Sequence, residues 1–258
     1  MTAWNAWADW PLIHDAAFYA VAVPAVLMMG LSKSGFLGGF GSLAVPLMAL
    51  VIPVPQAAAI MLPLLLVMDA TGLQQLWKHA DGQLLRWLLP AGLLGTVVGT
   101  LLFGVLSPAT VAAVVGALTL IFLAQRLLFP PRADHPPPPR PLGFALGIAS
   151  GFTSFVAHAG SPPFNAYVLP LRLQPLTYAA SAAVFFAAVN LSKWIPYAWL
   201  GLIDLTNMAT ALVLMPLAPI GVWLGVWATR RIDPAWFYRL AYAGMGLTGA
   251  KLLYDGLK

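Results

Sequence analysis

Apolar residues along the chain fall into ten runs separated by short polar breaks: 16–31, 36–52, 56–77, 84–106 and 108–129, then 142–157, 162–171, 175–200, 205–228 and 235–253. A helix needs about 20 apolar residues to cross a bilayer. In each group of five, the first two runs fall short of that length and the last three reach it. The stretch between the groups, 130–141 (PPRADHPPPPRP), is polar and rich in proline. It can neither form a helix nor rest in lipid, so it reads as a linker. The pattern predicts an all-α polytopic membrane protein. Residues 1–15 form an N-terminal interfacial segment, 16–129 a first transmembrane repeat, 130–141 the linker and 142–258 a second repeat.

The two groups also correspond residue by residue. Gly95, Gly99, Pro108 and Ala109 match Gly221, Gly225, Pro234 and Ala235 at one constant offset. Ser107-Pro108 and Asp233-Pro234 then stand at equivalent helix starts, with Ser and Asp as N-caps and Pro at the first helical position. Gly41-Ser42 matches Gly160-Ser161, and Pro55 matches Pro175 with one residue inserted. Each half thus opens on a broken or re-entrant element, followed by three spanning helices. In the first half the break is GLSKSGFLGGFGSLAVP (30–46), and in the second it is GFTSFVAHAGSPP (151–163). Glycine disfavours helix and frees the backbone for positive φ. Irregular backbone is tolerated in a membrane only where protein or a wet cavity surrounds it. Paired breaks in two halves point to a transport site at the interface between them.

Composition supports the membrane reading. Only 8% of the 258 residues are charged and 60% are hydrophobic, with a mean hydropathy of +0.84; a soluble domain carries about 25% charged residues. The net charge of +5 is spread over short loops, so it offers no contiguous footprint for nucleic acid. Cysteine is absent, which removes disulfides, thiol catalysis and Fe–S ligation. No basic n-region or small-residue cleavage site marks 1–15 as a signal peptide, and Trp4, Trp7 and Trp10 suit an interfacial anchor. If each short pair of runs returns to its starting side, Lys78, Arg86, Arg126, Arg132, Arg140, Arg172, Arg230, Arg231 and Arg239 share one face of the membrane. This asymmetry favours an inverted repeat with both termini on the other side.

The first break, the PLLLVMDATG run of 63–72 and the second break together resemble the sulfite exporter TauE/SafE family, also called the 4-toluene sulfonate uptake permease family. The likeness runs from about residue 16 to 257. It implies a multi-pass carrier in the bacterial inner membrane for sulfur-containing anions such as sulfite or sulfonates. Family members often read HAGGPP where this chain has His158-Ala159-Gly160-Ser161-Pro162-Pro163, so Ser161 adds a hydroxyl that the family pattern lacks.

Candidate chemistry concentrates at the breaks. Lys33, flanked by Ser32 and Ser34, is a cation able to pair with an anionic substrate, or else a lysine that snorkels to the surface. His158 is a donor or a titrating group, or a neutral histidine satisfied by backbone. Ser34, Ser42, Ser161 and Asn165 supply further donors, aided by helix N-termini near Ser42 and Ser161. Asp69, its counterpart Asn190, and Lys193 one turn further on are coupling or gating groups. Asp69 needs a partner in the membrane, with Lys33 or Lys193 as candidates. Gly35, Gly38, Gly39, Gly41, Gly151 and Gly160 are hinge candidates. No metal set, cofactor motif or hydrolase signature is present, so the expectation is no enzyme and no cofactor. The expected partners are a small anion and the bilayer. Coupling to protons or sodium and a homodimer stay open, as do three rival functions: a passive anion channel, a carrier of another small organic anion, and a membrane assembly factor.

Overall fold

The computed structural model describes residues 11–33, 40–103, 105–128, 138–228 and 234–258. The tryptophans of the N-terminal segment, most of the linker, Asp233, and the site candidates Ser34, Gly35, Gly38 and Gly39 lie outside the described residues. Helices make up the structure, and no strand occurs among the described residues. In chain order they are α1 (Ala16–Lys33), α2 (Ala44–Met48), α3 (Val54–Leu76), α4 (Gly82–Phe103), α5 (Pro108–Leu128), α6 (Arg140–Ala157), α7 (Ser161–Val168), α8 (Pro175–Ser192), α9 (Trp194–Trp199), α10 (Leu205–Leu214), α11 (Leu217–Ala228) and α12 (Pro234–Leu257). Five segments are long and apolar enough to cross a membrane: Ala16–Lys33, Val54–Gln74, Gly82–Phe103, Pro108–Gln125 and Pro175–Trp199. The chain is a multi-pass membrane protein.

Three runs differ from the sequence expectation, each for a local reason. The first run extends to Lys33 and is itself long enough to span. The run 205–228 is two helices, α10 and α11, bent by 45°; Pro216 lies between them, where its ring and missing N–H break the helical ladder. The run 175–200 is interrupted at Lys193. Pro196 cannot donate to Ser192, which loosens the turn that contains the lysine. Ser107 does cap α5 as its sequence suggested, its Oγ accepting from the Thr110 N–H at 3.1 Å.

Packing follows small residues. α4 lies along α6, α5 along α12, α1 along α11, and α3 against α8 and α10. Each half's first helix therefore packs on the penultimate helical segment of the other half. The α4–α6 crossing is main chain on main chain: a Cβ on Gly95 would stand 2.1 Å from the Ile148 carbonyl oxygen, and one on Gly151 would stand 1.9 Å from that of Gly92. At the α1–α11 crossing, a Cβ on Gly30 would meet the Gly221 backbone at 2.7 Å. Close approach of this kind lets dispersion and backbone contacts hold helices together where lipid removes the hydrophobic drive. Gly151, expected at a hinge, lies inside α6 and serves this contact. Under the second break, Phe155 packs edge-on against both Phe103 and Tyr197, at 5.6 and 5.1 Å between ring centroids.

Gly151→Ala is expected to lower thermal stability in detergent by about 1–3 kcal/mol through overpacking. Gly72→Ala, where an added Cβ meets nothing within 4 Å, should be neutral or stabilising by up to about 1 kcal/mol through helix propensity. Equal melting shifts for the two variants would refute this account of the α4–α6 crossing.

Candidate functional site

The second break is built around the end of α6. His158 follows that helix in the left-handed conformation, φ 51°, which is uncommon for a residue other than glycine. The turn that it makes leaves the last carbonyls of α6 to find partners in a buried environment. The Ala159 N–H donates to the Thr153 carbonyl at 3.1 Å and the His158 N–H to that of Ser154 at 2.9 Å. The Tyr197 hydroxyl donates to the Phe155 carbonyl at 2.6 Å. Lys193, wholly buried, donates to the Ser154 carbonyl at 2.7 Å. A cation at a helix C-terminus also meets the negative end of the helix dipole. Glycine is needed here for space rather than for φ: a Cβ on Gly160 would come within 2.7 Å of the Ser150 carbonyl oxygen.

Hydrogen-bond accounting assigns the protonation of this cluster. Lys193 Nζ lies 2.8 Å from Asn190 Oδ1 and 2.9 Å from His158 Nδ1, and 2.8 Å from Ser154 Oγ. Asn190 gives one amide hydrogen to Asp69 Oδ2 at 2.6 Å, which turns its oxygen to the lysine. His158 Nε2 sits 2.9 Å from the Ala58 carbonyl oxygen, so it carries the hydrogen and Nδ1 is an acceptor. With His158 taken as the neutral Nε2-H tautomer, the Ser154 carbonyl, Asn190 Oδ1 and His158 Nδ1 would take three N–H groups at once, the number that a lysine ammonium supplies. Both ring nitrogens of His158 are committed to protein groups.

Lys33, at the last turn of α1, forms an ion pair with Asp69 Oδ1, and its Nζ lies 5.5 Å from the centre of the Phe186 ring. A continuous polar chain therefore runs Lys33, Asp69, Asn190, Lys193, His158, from α1 through α3 and α8 to the end of α6. It borders a cavity of about 330 Å³. Ser32, Lys33, Asp69, Ser161, Asn165 and Asn190 present polar groups to this cavity, and Met29, Met68 and Phe186 form much of its apolar wall. Asn165 accepts from the Tyr178 hydroxyl at 2.6 Å, which leaves its NH2 as a donor. Of the first-turn residues of α7, Pro162 and Pro163 have no N–H, so Gly160 and Ser161 alone can offer backbone donors at that terminus.

The structure thus brings Lys33, Gly41, Asp69, His158, Ser161, Asn165 and Asn190 to one cavity. Lys193 sits behind the wall, fully enclosed. Ser42 lines a separate, smaller cavity with Pro162, Pro163 and Met245. Sequence reading missed Tyr178 and Phe186. Stepping back from Asn190 in fours reaches Phe186, Ala182 and Tyr178, all on the cavity face of α8, so helical spacing held the signal.

Lys193→Met leaves Asn190 Oδ1 and His158 Nδ1 without the lysine's hydrogens and the Ser154 carbonyl with the His158 N–H alone. It is expected to cost about 3–5 kcal/mol, as removal of one member of a buried charged network does. Loss of folded protein by gel filtration in detergent would register this; a variant that melts like the parent would contradict the capping role.

Neither the curated proteins nor the solved structures include a match to this chain. The family model described as sulfite exporter TauE/SafE matches residues 22–252, nearly the whole length and both halves. With several apolar spans carrying that match, the chain belongs to the sulfite exporter TauE/SafE family of membrane transporters.

Proposed function

We propose that the chain is a secondary carrier for one small sulfur-containing oxyanion, a sulfite or a sulfonate, held in the cavity between the two breaks. The observation that carries this reading is the charge count. Among the described residues, the cavity and the network behind it hold two lysines, Lys33 and Lys193, against one carboxylate, Asp69. With Lys33 and Lys193 both protonated and His158 neutral, one positive charge would be left over in a buried place. An uncompensated buried charge is costly, and a monoanion entering the cavity offsets it. Lys33, partly exposed to the cavity, is the group that meets the anion. The Asn165 amide and the Ser161 hydroxyl complete a donor shell around the oxygens, since charge-assisted hydrogen bonds are the stronger kind. The volume admits a sulfonate of a few carbons or a sulfite with water.

The placement of the site supports a reading of transport by alternating access. The cavity is lined by both halves, and each half's first helix is packed on the other half. Rocking of one half against the other about the polar chain would turn the cavity from one side to the other. An inverted repeat with the basic loops on the cytoplasmic face of a bacterial inner membrane suits the distribution of Lys and Arg. Coupling to an ion gradient or to the substrate gradient fits a chain without a nucleotide-binding motor.

Vesicles holding the purified protein should take up labelled sulfite, and a two-carbon sulfonate, with saturable kinetics. Lys33→Ala should abolish that flux, and so should Lys33→Ala combined with Asp69→Asn, which removes the carboxylate that the lysine pairs with and so leaves no unpaired buried charge. Undiminished uptake by Lys33→Ala would overturn the assignment, and unsaturable conductance would replace the carrier by a channel.

A further inference from the structure

We propose that Asp69 decides the charge of the anion that the cavity accepts, and that a dianion enters only together with one proton, which Asp69 takes up. The inference rests on the anion-site reading above. Asp69 is buried and borders the cavity, with Oδ1 on Lys33 and Oδ2 on Asn190. Its carboxylate occupies the very cation that an incoming anion needs. In the empty site it is a resident counter-anion.

The charges around it can be counted from every side. α1 contributes Lys33; α8 contributes Asn190 and the phenol of Tyr178, and Lys193 follows directly after α8; the end of α6 contributes His158, with Arg140 at the opposite end of that helix. The segments of α2, α10 and α11 carry no titratable residue. α5 carries only Arg126, close to its C-terminal end, and Lys78 and His79 lie beyond the end of α3, about 13 Å along the helix axis from Asp69. With Asp69 ionised the cluster is +1, and a monoanion brings it to zero. A dianion would leave it at −1 in a buried, poorly screened place. Protonation of Asp69 restores neutrality. The carboxylic acid keeps Oδ2 as an acceptor for Asn190, releases Lys33 to the ligand, and turns its own O–H into a further donor toward the anion. The proton comes from bulk solvent, from a hydronium ion or a buffer acid that is left deprotonated, and adds to Oδ1 as Lys33 turns to the anion; no other covalent bond changes. Without a dianion the same protonation would leave +2, so proton and dianion bind together.

The test uses the purified full chain in detergent and isothermal titration with two probes, methanesulfonate as monoanion and sulfate as dianion. Their own charges are fixed between about pH 5 and pH 8, so a pH dependence belongs to the protein. The expected result for the unaltered chain is a methanesulfonate Kd nearly independent of pH. The sulfate Kd should tighten by up to about tenfold for each unit of acidification, as linkage to one proton requires. In Asp69→Asn, a fixed neutral mimic of the acid, sulfate should bind at pH 8 relatively better than in the parent, with the slope gone. Equal pH dependence for the two probes in the unaltered chain overturns the inference, and that measurement stands whether or not the variant folds. A sulfate slope that survives in Asp69→Asn overturns it too, since the proton would then reside elsewhere. If neither probe binds at any pH, the anion-site reading itself fails, which is a different outcome from binding without linkage.

Discussion

A helix that stops inside a buried environment leaves carbonyls that must be satisfied, and most of this site can be read as the answer to that demand at the end of α6. Side chains of the segment that joins and continues α8 and α9 satisfy those carbonyls. Lys193 takes the Ser154 carbonyl and Tyr197 that of Phe155. Once a lysine is committed to that position, its remaining hydrogens need acceptors. Asn190 and His158 are oriented by supplying them, and each passes its own donor onward, to Asp69 and to the Ala58 carbonyl. The polar chain is thus a sequence of forced orientations, and Lys33 with Asp69 is its outer end.

Charge balance separates the two lysines by role. Lys193 is closed off and saturated, so its charge acts only through the field it adds. Lys33 shares Asp69 and reaches the cavity, with an aromatic face behind it. On the proposed reading, a fixed cation behind the wall and an exchangeable one at the wall would give an electropositive pocket that does not collapse when the ligand leaves. The close glycine contacts at Gly95, Gly151 and Gly30 set the helices that frame it at short range. Such packed interfaces switch between discrete arrangements instead of deforming continuously.

Much of the architecture was legible from residue patterning. The helical class, the spans of α3, α4, α5 and α8 and the family followed from run length and motif; Lys33, Asp69, Ser161 and Asn165 were singled out by the cost of intramembrane polarity, and they line one cavity. The correspondence of Asp69 with Asn190 was also visible in the repeat; that the two touch is a consequence of α3 packing on α8, which no local signal states. Other features lay outside what local patterning records. His158 adopts the left-handed turn that glycine usually takes, because its N–H and ring are held by the surrounding network. Gly151 looked like a break residue and is a helix contact, since glycine serves close approach and irregular backbone alike. The bend at Pro216 and the interruption at Lys193 follow from prolines that hydropathy counts as ordinary apolar sequence.

The most direct test of the account is anomalous diffraction from crystals of the protein soaked at acidic pH in selenate, whose selenium marks an oxyanion without ambiguity. At that pH the cavity should admit a dianion with its proton. The account places one strong peak in the cavity, with selenate oxygens within hydrogen-bond distance of Lys33 Nζ and the Asn165 amide nitrogen. A peak confined to the Ser42 cavity or to the outer surface, with the Lys33–Asp69 pair undisturbed, would contradict it.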